Sequence, residues 1–293
     1  MRESTTIAAV GLRVVVITMV APIAQGLVGA LRDLGHEPVA VIGARRPPGA
    51  SRPPAEIELT DEHAPPGVDV LLPAEKSRLE SLLRVYEPDV GLCYGYGWKI
   101  PLDALEVPRY GSANHHPAKL PRFRGPIPFS WAFRAGDTEL GLTWHRMDAE
   151  FDTGNILAQT SVPLYDTDTT ILDFAPRVAE AAYGMLPAVL EKLASGDPGD
   201  PQDDSQASYA GPLGDDYAEI DLGKTAREAH NQVRAWNLTF GMYDIVAPVV
   251  DLEGERLRLV RTSLSDPGDG ARRIECADAP LWILESEPVP GGD

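Results

Sequence analysis

Three neighbouring segments constrain the fold more than any other feature of the chain. They are the run Val14-Val15-Val16-Ile17-Thr18-Met19-Val20, the amphipathic stretch that Pro22 opens and Leu34 closes, and the apolar run from Glu37 to Ile42. An uncharged run rich in β-branched residues suits a strand buried on both faces. Such a strand, then a helix, then a second buried strand make a β-α-β unit, whose parallel strands need the helix as their crossover. The pattern repeats. Leu79, Leu82, Leu83 and Tyr86 lie at helical spacing between Ala74 and Tyr86, Pro88-Asp89 ends that helix, and Val90 to Tyr94 is again a buried strand. The expected fold class is α/β, a doubly wound, mostly parallel sheet.

Further along, Tyr110–His116 reads as a strand, Pro126–Ala135 as a helix, and Leu140–Met147 with Ile156–Leu164 as a strand pair. Thr169–Leu193 reads as one long amphipathic helix closing the first domain. Arg45–Pro66, rich in Pro, reads as a surface loop, and Ser195–Asp216, nearly devoid of apolar residues, as a linker. A helix over Thr225–Trp236 then precedes short strands near Tyr243–Asp251, Arg256–Thr262, Arg272–Cys276 and Leu281–Glu285, the pattern of a small barrel or half-barrel. The expected domains are 1–195 as a catalytic unit, 196–216 as a linker and 217–293 as a β-rich, OB-like unit.

Length and charge limit the functions. With 293 residues the chain has room for a large and a small domain. Its two cysteines, Cys93 and Cys276, form neither a disulfide framework nor a zinc-type pair, so a reducing cytoplasm is expected. Arg13 abuts the first apolar run and no small-residue cleavage site follows, so that run is read as a strand and not a signal peptide. No stretch approaches the ~20 apolar residues of a membrane-spanning helix, and no membrane partner is expected. The net charge is −18; from residue 196 onward 8 Lys and Arg face 20 Asp and Glu, a net −12. Extended binding to nucleic acid draws on Lys and Arg, so nucleic acid is not the expected partner.

The chemistry lies in Asn114-His115-His116-Pro117-Ala118-Lys119-Leu120-Pro121-Arg122-Phe123-Arg124-Gly125 and, downstream, Phe151-Asp152-Thr153-Gly154. Side chains two apart on a strand share a face, so Asn114 and His116 project together and His115 points away. An amide to hold an oxyanion, an imidazole to donate to it or move a proton, and a carboxylate to take the proton an amine loses are what acyl transfer to an amine requires. Asn114, His116 and Asp152 are therefore the candidate catalytic set. For Asp152 the competing reading is an ordinary turn whose carboxylate caps backbone N–H groups. The acidic turn lacks the D-x-[DN]-x-[DN]-G order of a calcium loop, and His115 and His116 lie on opposite faces, so no metal is expected. His145 sits on a strand, where histidine is more often packed than reactive, and is left outside the set. Arg122 and Arg124 are expected to fix their loop by hydrogen bonds. The turn Met19–Gly26 has no G-x-G-x-x-G, so no dinucleotide site is expected.

Together the two segments resemble the tetrahydrofolate-dependent formyltransferase superfamily, whose pattern is N-x-H-x-S-L-L-P-x-x-R-G followed about thirty residues later by a D-x-G turn. The chain matches it at Asn114, His116, Leu120, Pro121, Arg124, Gly125 and Asp152-Thr153-Gly154, and in the flanking Gly136-Asp137, Gly141-Leu142-Thr143 and Met147-Asp148. It departs at Ala118, usually Ser, and Lys119, usually Leu. His230–Asn237 resembles the opening of the barrel-like C-terminal domain of the methionyl-tRNA formyltransferase branch, although Leu238-Thr239-Phe240 replaces the usual Pro-Trp-Pro. The resemblance implies 10-formyltetrahydrofolate as co-substrate and no metal. It also implies a pterin site between the loop of Tyr96, Gly97, Trp98, Lys99 and Ile100 and the turn of Met147, Asp148, Ala149, Glu150 and Phe151.

The resulting expectation is an enzyme moving a formyl group to the amine of a small molecule, such as a natural-product, siderophore or amino-sugar precursor. The alternatives are a methionyl-tRNA formyltransferase, a formimidoyl transferase or formyl hydrolase on the same scaffold, and a non-catalytic folate- or nucleotide-sensing module. The sequence is silent on the oligomeric state.

Overall fold

The structure, a computed structural model, describes residues 11–45, 58–60, 62–239, 246–268 and 270–289. The chain order is β1 (Arg13–Ile17), α1 (Ala21–Asp33), β2 (Glu37–Ile42), β3 (Asp69–Leu71), α2 (Leu79–Tyr86), β4 (Val90–Tyr94), α3 (Leu102–Leu105), β5 (Ser112–His116), α4 (Pro128–Ala135), β6 (Glu139–Arg146), β7 (Ile156–Pro163), α5 (Ile171–Gly184), α6 (Leu186–Ser195) and α7 (Ala226–Asn237). Four strands follow, β8 (Val249–Leu252), β9 (Glu255–Ser263), β10 (Arg273–Glu275) and β11 (Pro280–Pro288). The doubly wound sheet expected from the sequence is present, with strand order β3-β2-β1-β4-β5-β6-β7. Strands β3, β2, β1, β4 and β5 pair in parallel and β6 joins β5 antiparallel.

By contacts the chain forms two compact units, one from residues up to His116, Thr143–Gln159 and Ala179–Asp203, the other from Pro117–Leu142, Thr160–Val178 and residues from Asp204. In the first unit the two-residue period of β1 sorts its side chains. Val14 and Val16 pack with Leu27 and Leu31 of α1 and Leu190 and Leu193 of α6, whereas Val15 and Ile17 pack with Leu79 and Leu83 of α2 and Ala104 and Leu105 of α3. Helices on both faces explain why β1 carries no polar side. The order places β1 between β2 and β4, so the chain reverses direction across the sheet there, and the crevice beyond the carboxyl ends of β1 and β4 is where such folds bind ligands. The loop starting at Gly95 leaves from that point, and Met19 N–H donates to the Gly95 carbonyl at 3.1 Å.

The second unit contains the expected half-barrel, an antiparallel sheet of order β10-β11-β9-β8. Bulges near Ile283 and Glu285 bend β11, and Ala226, Ala229 and Val233 of α7 fill the concave core with Leu257, Leu259 and Leu281. Thr225 starts α7 with a full capping box to Glu228. Arg122 grips Asp137 through two bonds of 2.5 and 3.1 Å and Arg124 reaches Asp204 at 2.7 Å, so both arginines secure their loop as expected.

Several local expectations need correction. The single helix over Thr169–Leu193 is two, because Pro187 in the first turn of α6 has no N–H to continue the ladder and its ring conflicts with the preceding turn. The short β3 and α3 carry too few residues for a periodic signal. The strand expected near Tyr243–Asp251 begins at Val249; residues 240–245, like most of the loop expected over Arg45–Pro66, lie outside the described residues. The polar stretch 196–216 is bonded along its length: Asp200 exchanges backbone bonds with Ile156, and Ala210 donates to the Arg124 carbonyl.

Trp144, wholly buried, closes the core under β5; its ring stands edge-on to Tyr94 at 6.3 Å and its N–H donates to the Ala182 carbonyl at 2.9 Å. Trp144→Ala is expected to cost about 3–5 kcal/mol, read as a lower urea midpoint with an unchanged slope.

Candidate active site

The candidate site grows from the last three residues of β5. Strand alternation does what the sequence implies: His115 turns into the core, 4.1 Å from the Tyr94 ring and 5.2 Å from Trp144, while Asn114 and His116 take the opposite face. Antiparallel β6 then sets Asn114 opposite His145 and His116 opposite Thr143. Opposed residues in such a pair share a face. His145 therefore joins the site, a residue that the sequence reading left out.

The carboxylate arrives from the turn after β6. Asp152 Oδ1 lies 3.5 Å from His116 Nδ1 and 3.4 Å from His145 Nε2. All three side chains are nearly inaccessible to solvent, and Asn114 alone of the cluster is partly exposed. Burial beside two imidazoles fits the catalytic expectation for Asp152. Asp148 caps the same turn: its carboxylate accepts from Thr153 Oγ1 at 2.8 Å and Glu150 N–H at 3.0 Å. Gly154 closes the turn where a Cβ would sit 1.9 Å from the Arg146 carbonyl oxygen, so any larger residue there displaces the loop. Asp152 has φ +58°, a left-handed conformation uncommon outside glycine.

The bonds around His145 fix its proton. Nδ1 lies 2.8 Å from the Arg146 carbonyl, an acceptor, so Nδ1 carries the hydrogen. In the neutral ring Nε2 then has a lone pair, and Asn114 Nδ2 donates to it at 3.2 Å. The amide is thereby oriented with its second N–H free of that bond, directed by a partner that itself has one tautomer. These hydrogen positions follow from the network.

Nearby groups are electrostatically quiet. Burial, reinforced by the charges of His116 and His145, pushes the His115 pKa down to about 3, so that ring stays neutral. Burial and then the Asp152 charge push the Cys93 thiol up, and Cys93, opposite Asn114 in the β4–β5 register, does not supply a thiolate nucleophile at neutral pH.

The two segments expected to flank a pterin come together. Lys99 Nζ lies 3.3 Å from Glu150 Oε2 and 5.7 Å from the Phe151 ring centre. Trp98, tilted edge-on to Tyr96 at 6.0 Å, borders with Gly97 and Lys99 an open cleft of about 620 Å³ whose other wall is Ala74–Ser77. Phe151, Ala149 and Glu150 are exposed. Ile100 is different: its side chain is buried with Val15, Ile17 and Ala104, and Met147 packs against the same cluster. The Tyr96 hydroxyl donates to the Gly43 carbonyl at 3.3 Å, tethering the loop to the end of β2. Among the described residues no cluster of three His, Cys, Asp or Glu is arranged to hold a metal, and no helix is long and apolar enough to cross a membrane.

Comparison with known proteins adds independent findings. The family model described as formyl transferase matches residues 13–190. A methionyl-tRNA formyltransferase of Methylococcus capsulatus is 34% identical over 286 residues, spanning 89% of this chain and 87% of that protein. Among solved structures, HypX from Aquifex aeolicus in complex with tetrahydrofolic acid superposes with a TM-score of 0.67 at 18% identity, covering 94% of this chain and 44% of that one. WlaRD, a sugar 3N-formyl transferase, superposes with a TM-score of 0.62 at 16% identity over 96% of this chain and 98% of its own. The two superpositions show a shared fold.

Among the described residues neither ring nitrogen of the buried His115 finds a hydrogen-bond partner. Between the ordinary 6.5 and its folded value of about 3, the unfolded chain binds a proton on His115 that the folded chain refuses. Stability therefore falls as pH drops through that window, by up to about 1.4 kcal/mol per pH unit. His115→Phe keeps a ring between Tyr94 and Trp144 and is expected to flatten this acid limb in urea titrations. His230, also buried and pushed down to about 4, retains its own share of the slope.

Proposed function

We propose, for a chain that belongs to the formyl transferase family, that Asn114, His116 and Asp152 transfer a formyl unit from 10-formyltetrahydrofolate to the amine of a small molecule. The observation that carries this reading is the convergence of a partly exposed carboxamide, a buried imidazole and a buried carboxylate at the end of β5, the last two 3.5 Å apart. The folate supplies a formyl carbon on a nitrogen leaving group, and the rim of Gly97, Trp98 and Phe151 offers the exposed apolar surface that a flat heterocycle needs.

The chain's residues then divide the work. The second N–H of Asn114 donates to the formyl oxygen as the amine attacks and negative charge grows there; a donor of this kind contributes about 3 kcal/mol. His116, with Nδ1 towards Asp152, presents Nε2 to the same oxygen. Asp152 receives the proton that the amine nitrogen loses, through His116 or a water, and that proton is returned to the folate nitrogen as its C–N bond breaks, leaving a formamide and tetrahydrofolate. Burial of Asp152 between two imidazoles keeps this charge next to the groups that respond to it.

Two observations support a small acceptor. The last third of the chain carries a net −12, unfavourable to a phosphate backbone, and the fold is shared with a sugar 3N-formyl transferase over nearly the whole chain. The second reading, formylation of methionyl-tRNA, is favoured by relatives of that name at 32–34% identity.

Incubating the enzyme with 10-formyltetrahydrofolate and a panel of amines is expected to add about 28 Da to one small-molecule acceptor. Asn114→Ala is expected to lower kcat by about hundredfold with little change in KM. No folate binding together with full activity of Asn114→Ala would refute the reading. Turnover of charged tRNA that drops steeply with salt would select the second.

A further inference from the structure

The Asp152 turn is held from outside by a segment that the chemistry above does not use. Within the first compact unit, residues 197–202 bond the two strand ends that flank the turn and the turn itself. Arg146, whose own carbonyl orients His145, donates through its guanidinium to the Asp197 carbonyl at 2.6 Å. Asp200 and Ile156 exchange two backbone bonds of 2.8 and 2.9 Å, with Gly199 at φ +79° where a Cβ would lie 2.6 Å from the Ile156 carbonyl oxygen. Gln202 Nε2 donates to the carbonyls of Asp152 at 2.9 Å and Gly154 at 2.8 Å. Both partners are acceptors, so only the NH2 end of the amide fits there.

We infer that Gln202 is a positioning residue for Asp152, setting the catalytic carboxylate between His116 and His145. The turn's own packing contributes little to this, because Asp148 to Phe151 are exposed and its internal bonds run to Asp148 rather than to the Asp152 or Gly154 carbonyls. A left-handed aspartate costs on the order of 1 kcal/mol and persists only where surrounding bonds over-determine it. The two carbonyls that Gln202 grips bracket the backbone just after the Asp152 Cα, and fixing those peptide planes fixes the direction of its Cβ. A displacement of about 1 Å at a reacting group can cost a hundredfold in rate, which gives this clamp its leverage.

This inference rests on the formyl-transfer reading, and the experiment separates the two. Wild type, Gln202→Met, Gln202→Glu, Asp152→Asn and the Asp152→Asn/Gln202→Met double variant are assayed under single-turnover and steady-state conditions, with folding checked by circular dichroism. An inactive wild type indicts the reading, not the clamp. With an active wild type, Gln202→Met is expected to lower kcat by about tenfold or more while both KM values stay within about twofold. In the Asp152→Asn background the same change is expected to cost less than about twofold, because the clamp acts through that carboxylate. Gln202→Glu places acceptors against acceptors with no change of shape and lowers kcat at least as far; it decides the matter if the Met variant fails to fold. If Asp152→Asn shows no turnover at all, the kcat-against-KM split of the Gln202 variants is decisive. Wild-type kcat in either folded Gln202 variant, a loss confined to KM, or an equal loss in both Asp152 backgrounds overturns the inference.

Discussion

The antiparallel addition of β6 to the edge of a parallel sheet is the constraint on which the site depends. It sets His145 across from Asn114 and delivers the chain to the start of β5, where Met147 N–H donates to the Ser112 carbonyl at 2.9 Å before the turn folds back and brings Asp152 beside His116. A parallel neighbour at that edge would need a crossover and would pair its residues with β5 in the opposite order, so His145 would not face Asn114 in this register. One register thus decides which imidazole faces the amide, which faces the carboxylate and which is left inside. A slip of one residue would exchange His115 for its neighbours and bring a core ring into the site.

The same register has energetic costs. It buries His115 without a hydrogen-bond partner among the described residues, and it buries a carboxylate beside two imidazoles. A buried polar group without a hydrogen bond costs about 1–3 kcal/mol, a burden carried by the surrounding core of Tyr94 and Trp144. The turn with its left-handed Asp152 is similarly held by the side chains of Asp148 and Gln202 and by the backbone N–H of Arg146, which donates to the Asn155 carbonyl at 2.8 Å. Asn114 is the exception. It remains partly open at the strand end, where an incoming carbonyl can reach it.

Much of this is legible in the sequence. The β-branched runs predicted the parallel sheet because strands covered on both faces have no polar alternation, and the two-residue period separated His115 from Asn114 and His116. The role of His145 was not legible, since it depends on cross-strand register, which no local pattern encodes. Gln202 was hidden for a related reason: a polar, Pro- and Asp-rich stretch reads as a solvated linker, yet here its groups satisfy the carbonyls of a turn fifty residues away. Ile100 is a loop position whose side chain packs in the core, a burial that no local pattern announces.

The central claim is that Asp152 takes part in proton transfer at a site that Asn114 and His116 complete. The most direct measurement is the pH–rate profile of formyl transfer for the wild type and for Asp152→Asn at saturating donor. The account predicts an ionisation limb in the wild type that is absent from the variant, together with a fall in kcat of about a hundredfold or more. A variant that keeps the wild-type rate and the wild-type profile would contradict it.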